Sequence, residues 1–333
     1  MANVLFTTYC NRNCSYCFAK GKVDLGRDTG DPLKNLGLPA LEKIIQFYKL
    51  SQLRRFVVLG GEPTLNPDFI SLIDRITLEP SFKSIMIFTN GLMPEKVLDY
   101  LARHPDDRLK IAMNFNEPND YSTGQRNHIN KILSTLGKRV GLGINIYKPR
   151  QNYDYLINAI TSYGLAPHVR VGLTQPIVDS KNTYAKVEDF NAIAEDLVAF
   201  AETAFRKKIS FSFDCGFQFC MFTLDQHKEL LRFGIKFKSV CSPIIDIGPD
   251  LSVWRCFPLL NHMGGKLTDF KGRNGIVDYY DERYQHLQSM GNRAECPECH
   301  YRKNKLCSGG CLARTLISFN RNGAWHNGFI ATQ

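Results

Sequence analysis

The first two thirds of the chain alternate short apolar runs with helix-length amphipathic stretches, and this pattern most constrains the fold. Such alternation is typical of repeated βα units, in which each helix returns the chain to the next parallel strand. The predicted strands are residues 4–8, 56–59, 84–89, 109–114, 140–146 and 168–173. The predicted helices include residues 39–49, 67–76, 94–103, 152–163 and 187–205. Six units are too few for a closed eight-unit barrel, so we predict an α/β fold, a partial (β/α)6 TIM-like barrel with a side cleft.

The pattern changes near residue 209, where an alternating strand-like segment is followed by no further βα unit. We therefore predict a barrel domain at residues 1–208 and a small cysteine-rich domain at residues 209–333. Within the second, residues 244–254 read as a hairpin, since Gly248, Pro249 and Asp250 supply turn chemistry between two apolar runs. This hairpin would bring Cys241 and Cys256 close together.

The chain has 11 cysteines among 333 residues, an odd number gathered in short-spaced groups. This usage disfavours a disulfide framework and favours reduced thiolates that bind metal. No targeting segment or membrane-length apolar run is present, so we expect a cytoplasmic protein without membrane attachment. The net charge of +10 suits an acidic peptide or an anionic cofactor and substrate. The Lys and Arg residues are dispersed, which makes nucleic acid an unfavoured partner.

Cys10, Cys14 and Cys17 follow the first predicted strand directly. Three thiolates in one loop can hold a four-iron cluster and leave one iron open for chemistry, whereas a cluster used only for electron transfer normally has four protein ligands. The alternative is a zinc site, which usually requires a fourth Cys or His nearby. None lies close in the sequence.

The CxxxCxxC spacing of these cysteines, followed by the aromatic Phe18, resembles the radical S-adenosylmethionine (SAM) superfamily. The segment Gly60, Gly61, Glu62 and Pro63 at the end of the second strand resembles the second motif of that superfamily. The resemblance implies that this segment receives the methionine ammonium of SAM, and that Phe18 contacts the adenine. Polar residues at later strand ends would bind the ribose and carboxylate, and the matching positions are Asn90, Asn114 and Asn145. Asparagine is also a common turn residue after a strand. Residues 143–147 do not match the fuller fifth-strand pattern of some members.

The later cysteines are enough for two fully ligated four-iron clusters; they are Cys215, Cys220, Cys241, Cys256, Cys296, Cys299, Cys307 and Cys311. Four cysteines in a compact run would also suit a zinc ribbon. A hairpin flanked by cysteines, followed by CxxC and a Cys-Ser-Gly-Gly-Cys segment, resembles the SPASM extension of radical SAM peptide maturases, which implies one or two auxiliary [4Fe-4S] clusters. Seven residues separate Cys299 from Cys307 where five are common, and no cysteine follows Cys311. Either the last ligand is Cys215, Cys220 or a residue such as His326, or the cluster is incomplete. Alternatively, Cys215 or Cys220 is a thiol that donates a hydrogen atom.

The resemblance implies an oxidoreductase that reductively cleaves SAM and removes a hydrogen atom from a peptide or protein during maturation, with flavodoxin or ferredoxin as electron donor. The alternative substrate is a small molecule such as a sugar or aminoglycoside. A non-catalytic electron-transfer protein and an RNA-modifying enzyme are further hypotheses; Glu62 and the open iron argue against the first, and only charge suggests the second. Residues 21–37 would form either a lid over the cleft or a surface loop.

Overall fold

The computed structural model describes residues 2–25 and 34–321 and contains one ten-stranded sheet in the order β10-β9-β8-β1-β2-β3-β4-β5-β6-β7. The strands are β1 (Asn3–Leu5), β2 (Arg55–Leu59), β3 (Ser84–Thr89), β4 (Leu109–Asn114), β5 (Val140–Ile146), β6 (His168–Leu173), β7 (Ser210–Phe213), β8 (Asp246–Ile247), β9 (Ser252–Trp254) and β10 (Met263–Lys266). The pairings described do not join β7 to β10, so the sheet is open. An open α/β sheet confirms the predicted partial barrel.

Strands β1 to β7 are all parallel, in sequence order. Four predicted strands, β3 to β6, have the predicted bounds. The first was predicted too long: the Phe6 N–H still bonds to the carbonyl of Leu59 in β2, but from there the backbone pairs with residues 34–36. The Phe6 carbonyl accepts the N–H of Leu36, and Thr8 donates its N–H to the carbonyl of Lys34. The segment after β1 is therefore already turning into the loop that carries the first cysteines.

The helices are α1 (Lys20–Leu25), α2 (Leu38–Leu50), α3 (Phe69–Thr77), α4 (Glu95–Arg103), α5 (Thr123–Leu136), α6 (Asp154–Tyr163), α7 (Phe190–Arg206), α8 (Leu224–Arg232), α9 (Arg273–Gln288), α10 (His300–Lys303) and α11 (Leu312–Arg321). Helices α2 to α9 bury apolar residues in one large core with the strands, and α1 and α11 pack in two smaller clusters. In the part of the chain that the structure describes, no helix is both long and apolar enough to span a bilayer.

The predicted hairpin is confirmed, because β8 and β9 are antiparallel and Leu251 closes the turn with an N–H bond to the carbonyl of Gly248. Its strand β8 also pairs in parallel with β1, where Asn3 donates a 2.7 Å hydrogen bond to the Asp246 carboxylate. One sheet thus continues from the barrel strands into the hairpin. The predicted division at residue 208 remains a prediction. His326 and residues 26–33 of the predicted lid lie outside the described residues.

Candidate functional site

Cys10, Cys14 and Cys17 lie in the loop that leaves the carboxyl end of β1, and all three are partly exposed. The N–H of Cys17 bonds to the carbonyl of Cys14, which turns the loop back on itself. The Cys10 sulfur accepts hydrogen bonds from the Arg12 N–H at 3.4 Å and from the Asn90 amide at 3.7 Å. Burial raises the pKa of Cys10 to about 11, which favours the protonated thiol where no metal is bound. None of the eleven cysteines, all of which lie within the described residues, forms a disulfide.

Gly60 and Gly61 let the end of β2 pack against the backbone that leads to Cys10. A Cβ at Gly60 would lie 2.5 Å from the Thr7 carbonyl oxygen, and one at Gly61 would lie 2.5 Å from the Tyr9 carbonyl carbon. Real Cβ atoms essentially never come within 3.0 Å of other heavy atoms, so neither position accepts a side chain without movement. The N–H of Gly61 donates to the Thr7 carbonyl, which locks the two segments together.

The carboxylate of Glu62 is fully buried and joins the ends of β2 and β3. One oxygen accepts hydrogen bonds from the hydroxyls of Thr64 (2.6 Å) and Thr89 (2.8 Å), and the other accepts the Asn90 N–H at 2.7 Å. Burial raises the pKa of Glu62 more than these bonds lower it. The oxygen bonded to Asn90 can accept one more donor, because a carboxylate oxygen has two lone pairs. Pro63 begins the short 3-10 helix that follows.

The three asparagines lie at or near the carboxyl ends of successive strands. Asn90 follows β3 and bonds to the Asn11 side chain at 2.9 Å, beside Cys10. Asn114 ends β4 in register with Gly143, and Asn145 lies on β5 in register with Gly172.

The paired glycines make room for two of these side chains. The Asn114 oxygen lies 3.3 Å from where a Cβ of Gly143 would stand, and the Asn145 oxygen lies 2.6 Å from that of Gly172. A side chain on either glycine would therefore displace an asparagine.

Phe18 packs against Phe257, with ring centroids 5.1 Å apart, in a small apolar cluster that also includes Trp254. Cys10 and Cys17 are packed against the same cluster. The loop of the first cysteines therefore packs against Trp254, at the end of the hairpin, and Phe257, which follows it. The predicted adenine contact of Phe18 remains a prediction.

Sequence reasoning missed the aromatic and cationic residues that surround Cys14. Tyr16 donates a 2.5 Å hydrogen bond to Asn116 and stacks on Tyr147 at 5.0 Å. The Arg12 guanidinium lies 4.3 Å from the ring centroid of Tyr121, a cation–π contact. The one sequence signal for Arg12 and Tyr16 is that they lie between the cysteines of the motif. The sequence gives no such signal for Tyr121 and Tyr147.

Four of the later cysteines lie around the hairpin, and we call them the hairpin set: Cys215, Cys241, Cys256 and Cys311. The Cys215 thiol interacts electrostatically with the other three. Cys241 precedes β8 and Cys256 follows β9, as predicted from the hairpin. Cys311 stands immediately before α11, and burial raises its pKa to about 11.

The other four cysteines form the loop set: Cys220, Cys296, Cys299 and Cys307. The Cys220 thiol interacts with the thiols of Cys307 and Cys296. Phe219 stacks on Tyr301 at 5.0 Å, which holds the 3-10 helix carrying Cys220 beside the loop between Cys299 and Cys307. Cys296 and Cys299 are joined through the N–H of Cys299 and the carbonyl of Cys296.

The compact run Cys296, Cys299, Cys307 and Cys311 is thus divided between two places. Cys311 interacts with Cys241, across the hairpin, whereas Cys307 and Cys296 interact with Cys220. Within residues 2–25 and 34–321, no three His, Cys, Asp or Glu side chains form a group that could hold a single metal ion.

The sequence profile of the Radical SAM superfamily matches residues 4–145. Over 155 residues the chain is 27% identical to molybdenum cofactor biosynthesis protein 1 of Drosophila melanogaster, covering 45% of this chain and 25% of that protein. Over 142 residues it is 25% identical to a probable GTP 3',8-cyclase of Methanococcus vannielii, covering 43% of this chain and 46% of that protein. The chain therefore spans between a quarter and a half of the length of these relatives.

Two solved structures share the fold over nearly the whole chain. SuiB of Streptococcus suis bound to S-adenosylmethionine has a TM-score of 0.65 at 17% identity, covering 95% of this chain and 74% of that one. The native enzyme anSMEcpe with bound AdoMet has a TM-score of 0.59 at 17% identity, covering 93% of this chain and 89% of that one. At this identity the likeness concerns the fold alone.

Proposed function

We propose that Cys10, Cys14 and Cys17 hold a [4Fe-4S] cluster and that the chain cleaves SAM, because residues 4–145 match the profile of the Radical SAM superfamily. The family uses such a cluster together with SAM. When bound, they supply an electron that breaks a C–S bond of SAM and a radical that removes a hydrogen atom from the substrate. The three thiols fit this group, since they share one loop, are reduced and partly exposed, and leave one iron without a protein ligand.

The residues around the loop would bind and orient SAM. Glu62 has one carboxylate oxygen with spare acceptor capacity, which suits an ammonium group. Gly60, Gly61 and Pro63 keep that carboxylate close to the cysteine loop. The side chains of Asn90, Asn114 and Asn145 would provide amide groups for the ribose and carboxylate, and Phe18 an apolar surface for the adenine.

We further propose that the hairpin set and the loop set each ligate one auxiliary [4Fe-4S] cluster. The support is that Cys215 interacts electrostatically with the other three thiols of the hairpin set, and Cys220 with those of Cys307 and Cys296 in the loop set, although these residues are distant in sequence. Cys220 would be the ligand that replaces the cysteine missing after Cys311. Replacing Cys220 by Ser should lower the iron content by about four atoms per chain, and an unchanged iron content with intact spectra would assign it the role of a free thiol.

A peptide or protein is the substrate that we propose first. A solved structure with the same fold, SuiB, is described as bound to its precursor peptide SuiA, at a TM-score of 0.63 and 16% identity. The resemblance to the SPASM extension supports the same substrate class. Modification of a peptide side chain would make the chain an oxidoreductase acting in peptide maturation.

A small-molecule substrate is the second candidate, because the sequence relatives include GTP 3',8-cyclases. The sugar or aminoglycoside predicted as an alternative belongs to the same class. A short open reading frame beside the gene, whose synthetic peptide is modified by the enzyme, would favour the peptide. Consumption of a small molecule with no change in that peptide would favour the second candidate.

The observation that carries the proposal is the packing of the Gly-Gly-Glu-Pro segment directly against the loop of the three cysteines. The test is anaerobic reconstitution with iron, sulfide, SAM and a reductant, followed by measurement of 5′-deoxyadenosine. Cys14→Ala should abolish its release. Ser15→Ala is the matched control, because Ser15 is exposed in the same loop and uses only its carbonyl, which accepts the N–H of Thr183. Failure of the fully loaded wild type to release 5′-deoxyadenosine would refute the proposal.

The cluster would need an electron donor, and we propose flavodoxin or ferredoxin. Reduced cysteines favour a cytoplasmic location, where thiols are kept reduced.

A further inference from the structure

Arg255 is a buried cation beside the hairpin set. It follows β9 directly, and only 1% of its surface is exposed. One guanidinium nitrogen donates to the Cys241 sulfur at 3.4 Å. The other donates to the Cys241 carbonyl at 3.0 Å and to the Gln288 side-chain oxygen at 3.2 Å.

Gln288 fixes this arrangement from the end of α9. Its amide nitrogen donates to the same Cys241 carbonyl at 2.7 Å and to the Ser308 hydroxyl at 3.1 Å. Ser308 in turn accepts the N–H of Cys241 at 2.8 Å. The guanidinium is therefore held against Cys241 by a network of neutral groups.

No carboxylate in the described part of the chain forms an ion pair with Arg255. Its Nε atom is buried and has no hydrogen-bond partner. An unpaired buried charge is costly, so buried guanidinium groups are normally neutralised by an anion. The thiols of Cys241, Cys256 and Cys311 act electrostatically on Arg255 and favour its charged form, and Tyr284 also interacts with it.

We propose that Arg255 is the fixed countercharge of the auxiliary cluster on the hairpin set, and that it makes this cluster easier to reduce. This inference rests on the proposed function, which assigns a cluster to those four cysteines. Reduction adds one electron, and hence negative charge, to a site that a permanent cation already faces at hydrogen-bond distance. In a buried site this attraction is little screened, so removal of the cation must lower the reduction potential. Arg255 is then a positioning and tuning residue, not a catalytic one.

The test uses the full chain with Cys10, Cys14 and Cys17 replaced by Ala, so that only auxiliary clusters contribute to the spectra. In this background, Arg255→Gln, Arg255→Met and Arg255→Lys are reconstituted anaerobically, and reductive titration with dithionite is followed by electron paramagnetic resonance. In the Gln and Met variants, the ratio of reduced to oxidised cluster at a given potential should be at least about tenfold lower. This corresponds to a fall of about 59 mV in the reduction potential for one electron. The Lys variant should stay within about threefold of the parent, because it keeps the charge.

An unchanged potential in the iron-loaded Gln and Met variants would overturn the proposal. If these two variants fail to retain the cluster while Lys retains it, the charge is needed for assembly, which supports the proposal. If Lys fails with them, the site requires the shape of the guanidinium and not its charge, and the proposal is wrong. None of these readouts uses SAM. Failure of SAM cleavage in the wild type would therefore refute the proposed function separately.

Discussion

Replacing Gly61 by Ala should disable the first cysteine loop while leaving the rest of the fold in place. The added Cβ would overlap the Tyr9 carbonyl group and lie 2.9 Å from the Cβ of Cys10. At the Tyr9 carbonyl carbon the separation must grow from 2.5 Å to at least 3.0 Å, a movement of 0.5 Å or more. The Tyr9 atoms belong to the backbone and the Cys10 Cβ is fixed to it, so no side-chain rotation relieves the overlap.

Two magnitudes follow for Gly61→Ala. Forcing an extra carbon into a packed region costs about 1 to 3 kcal/mol, which a domain of this size can survive. The functional cost is larger, because displacing a reacting group by about 1 Å can lower a rate about 100-fold. We therefore expect a folded protein whose 5′-deoxyadenosine release falls by about 100-fold.

Iron analysis and SAM cleavage measure the outcome of Gly61→Ala. The variant should lose up to about four of roughly twelve irons, those of the first cluster, and keep the auxiliary clusters. Gly124→Ala is the matched control, because a Cβ at Gly124 on α5 meets no atom within 4 Å. Wild-type rates of SAM cleavage in Gly61→Ala would show that this close approach does not position Cys10.

Three further changes test other parts of the structure. Burial raises the pKa of Asp246 from 3.8 to about 7, which favours the protonated form in the folded state, so its contribution to stability is lost as pH rises. In urea unfolding, the free energy of unfolding of the wild type should fall by about 2 kcal/mol between about pH 5.5 and about pH 8. Asp246→Asn should not show this fall, and an equal pH dependence in both proteins would refute the reasoning. Arg314→Met should cost about 3 kcal/mol in urea unfolding, since it leaves the buried Gln175 side-chain oxygen and two backbone carbonyls without their donor, and Arg314→Lys should recover part of it. Tyr16→Phe should cost about 1 kcal/mol through the lost hydrogen bond to Asn116 yet retain the iron, and loss of the iron would contradict a purely supporting role.

Local periodicity predicted six of the seven consecutive parallel strands, β1 to β6, whereas the segment of β7 was assigned to the second domain and in fact pairs in parallel with β6. Four strands, β3 to β6, have the predicted bounds because each is a short buried run between helices. The bounds of β1 could not be predicted, since Phe6 and Thr8 are as apolar or as β-prone as the residues before them. Their partners are the carbonyls of Leu59 and Lys34, which local pattern does not reveal.

Site residues could be predicted where reactive side chains recur at a recognisable short spacing. They could not be predicted where their partners are distant in sequence. The spacing of Cys10, Cys14 and Cys17 was enough to predict them as metal ligands. Tyr16 does not, because its partner Asn116 lies 100 residues away. The same limit applies to the later cysteines. Spacing groups Cys311 with the run before it, whereas the fold places it with the hairpin.

The position of β1 in the sheet has a consequence for how the chain folds during synthesis. Val4 and Leu5 pair with β2 on one side, and Asn3 and Val4 pair with Asp246 and Ile247 on the other. Asn3 and Asp246 are 243 residues apart, so at about 5 to 20 residues per second the outer edge of β1 waits roughly ten to fifty seconds for its neighbour. The unpaired N–H and C=O groups of a strand edge can pair with the wrong strand or with another chain. Nascent chains released before residue 247 should therefore depend on chaperones.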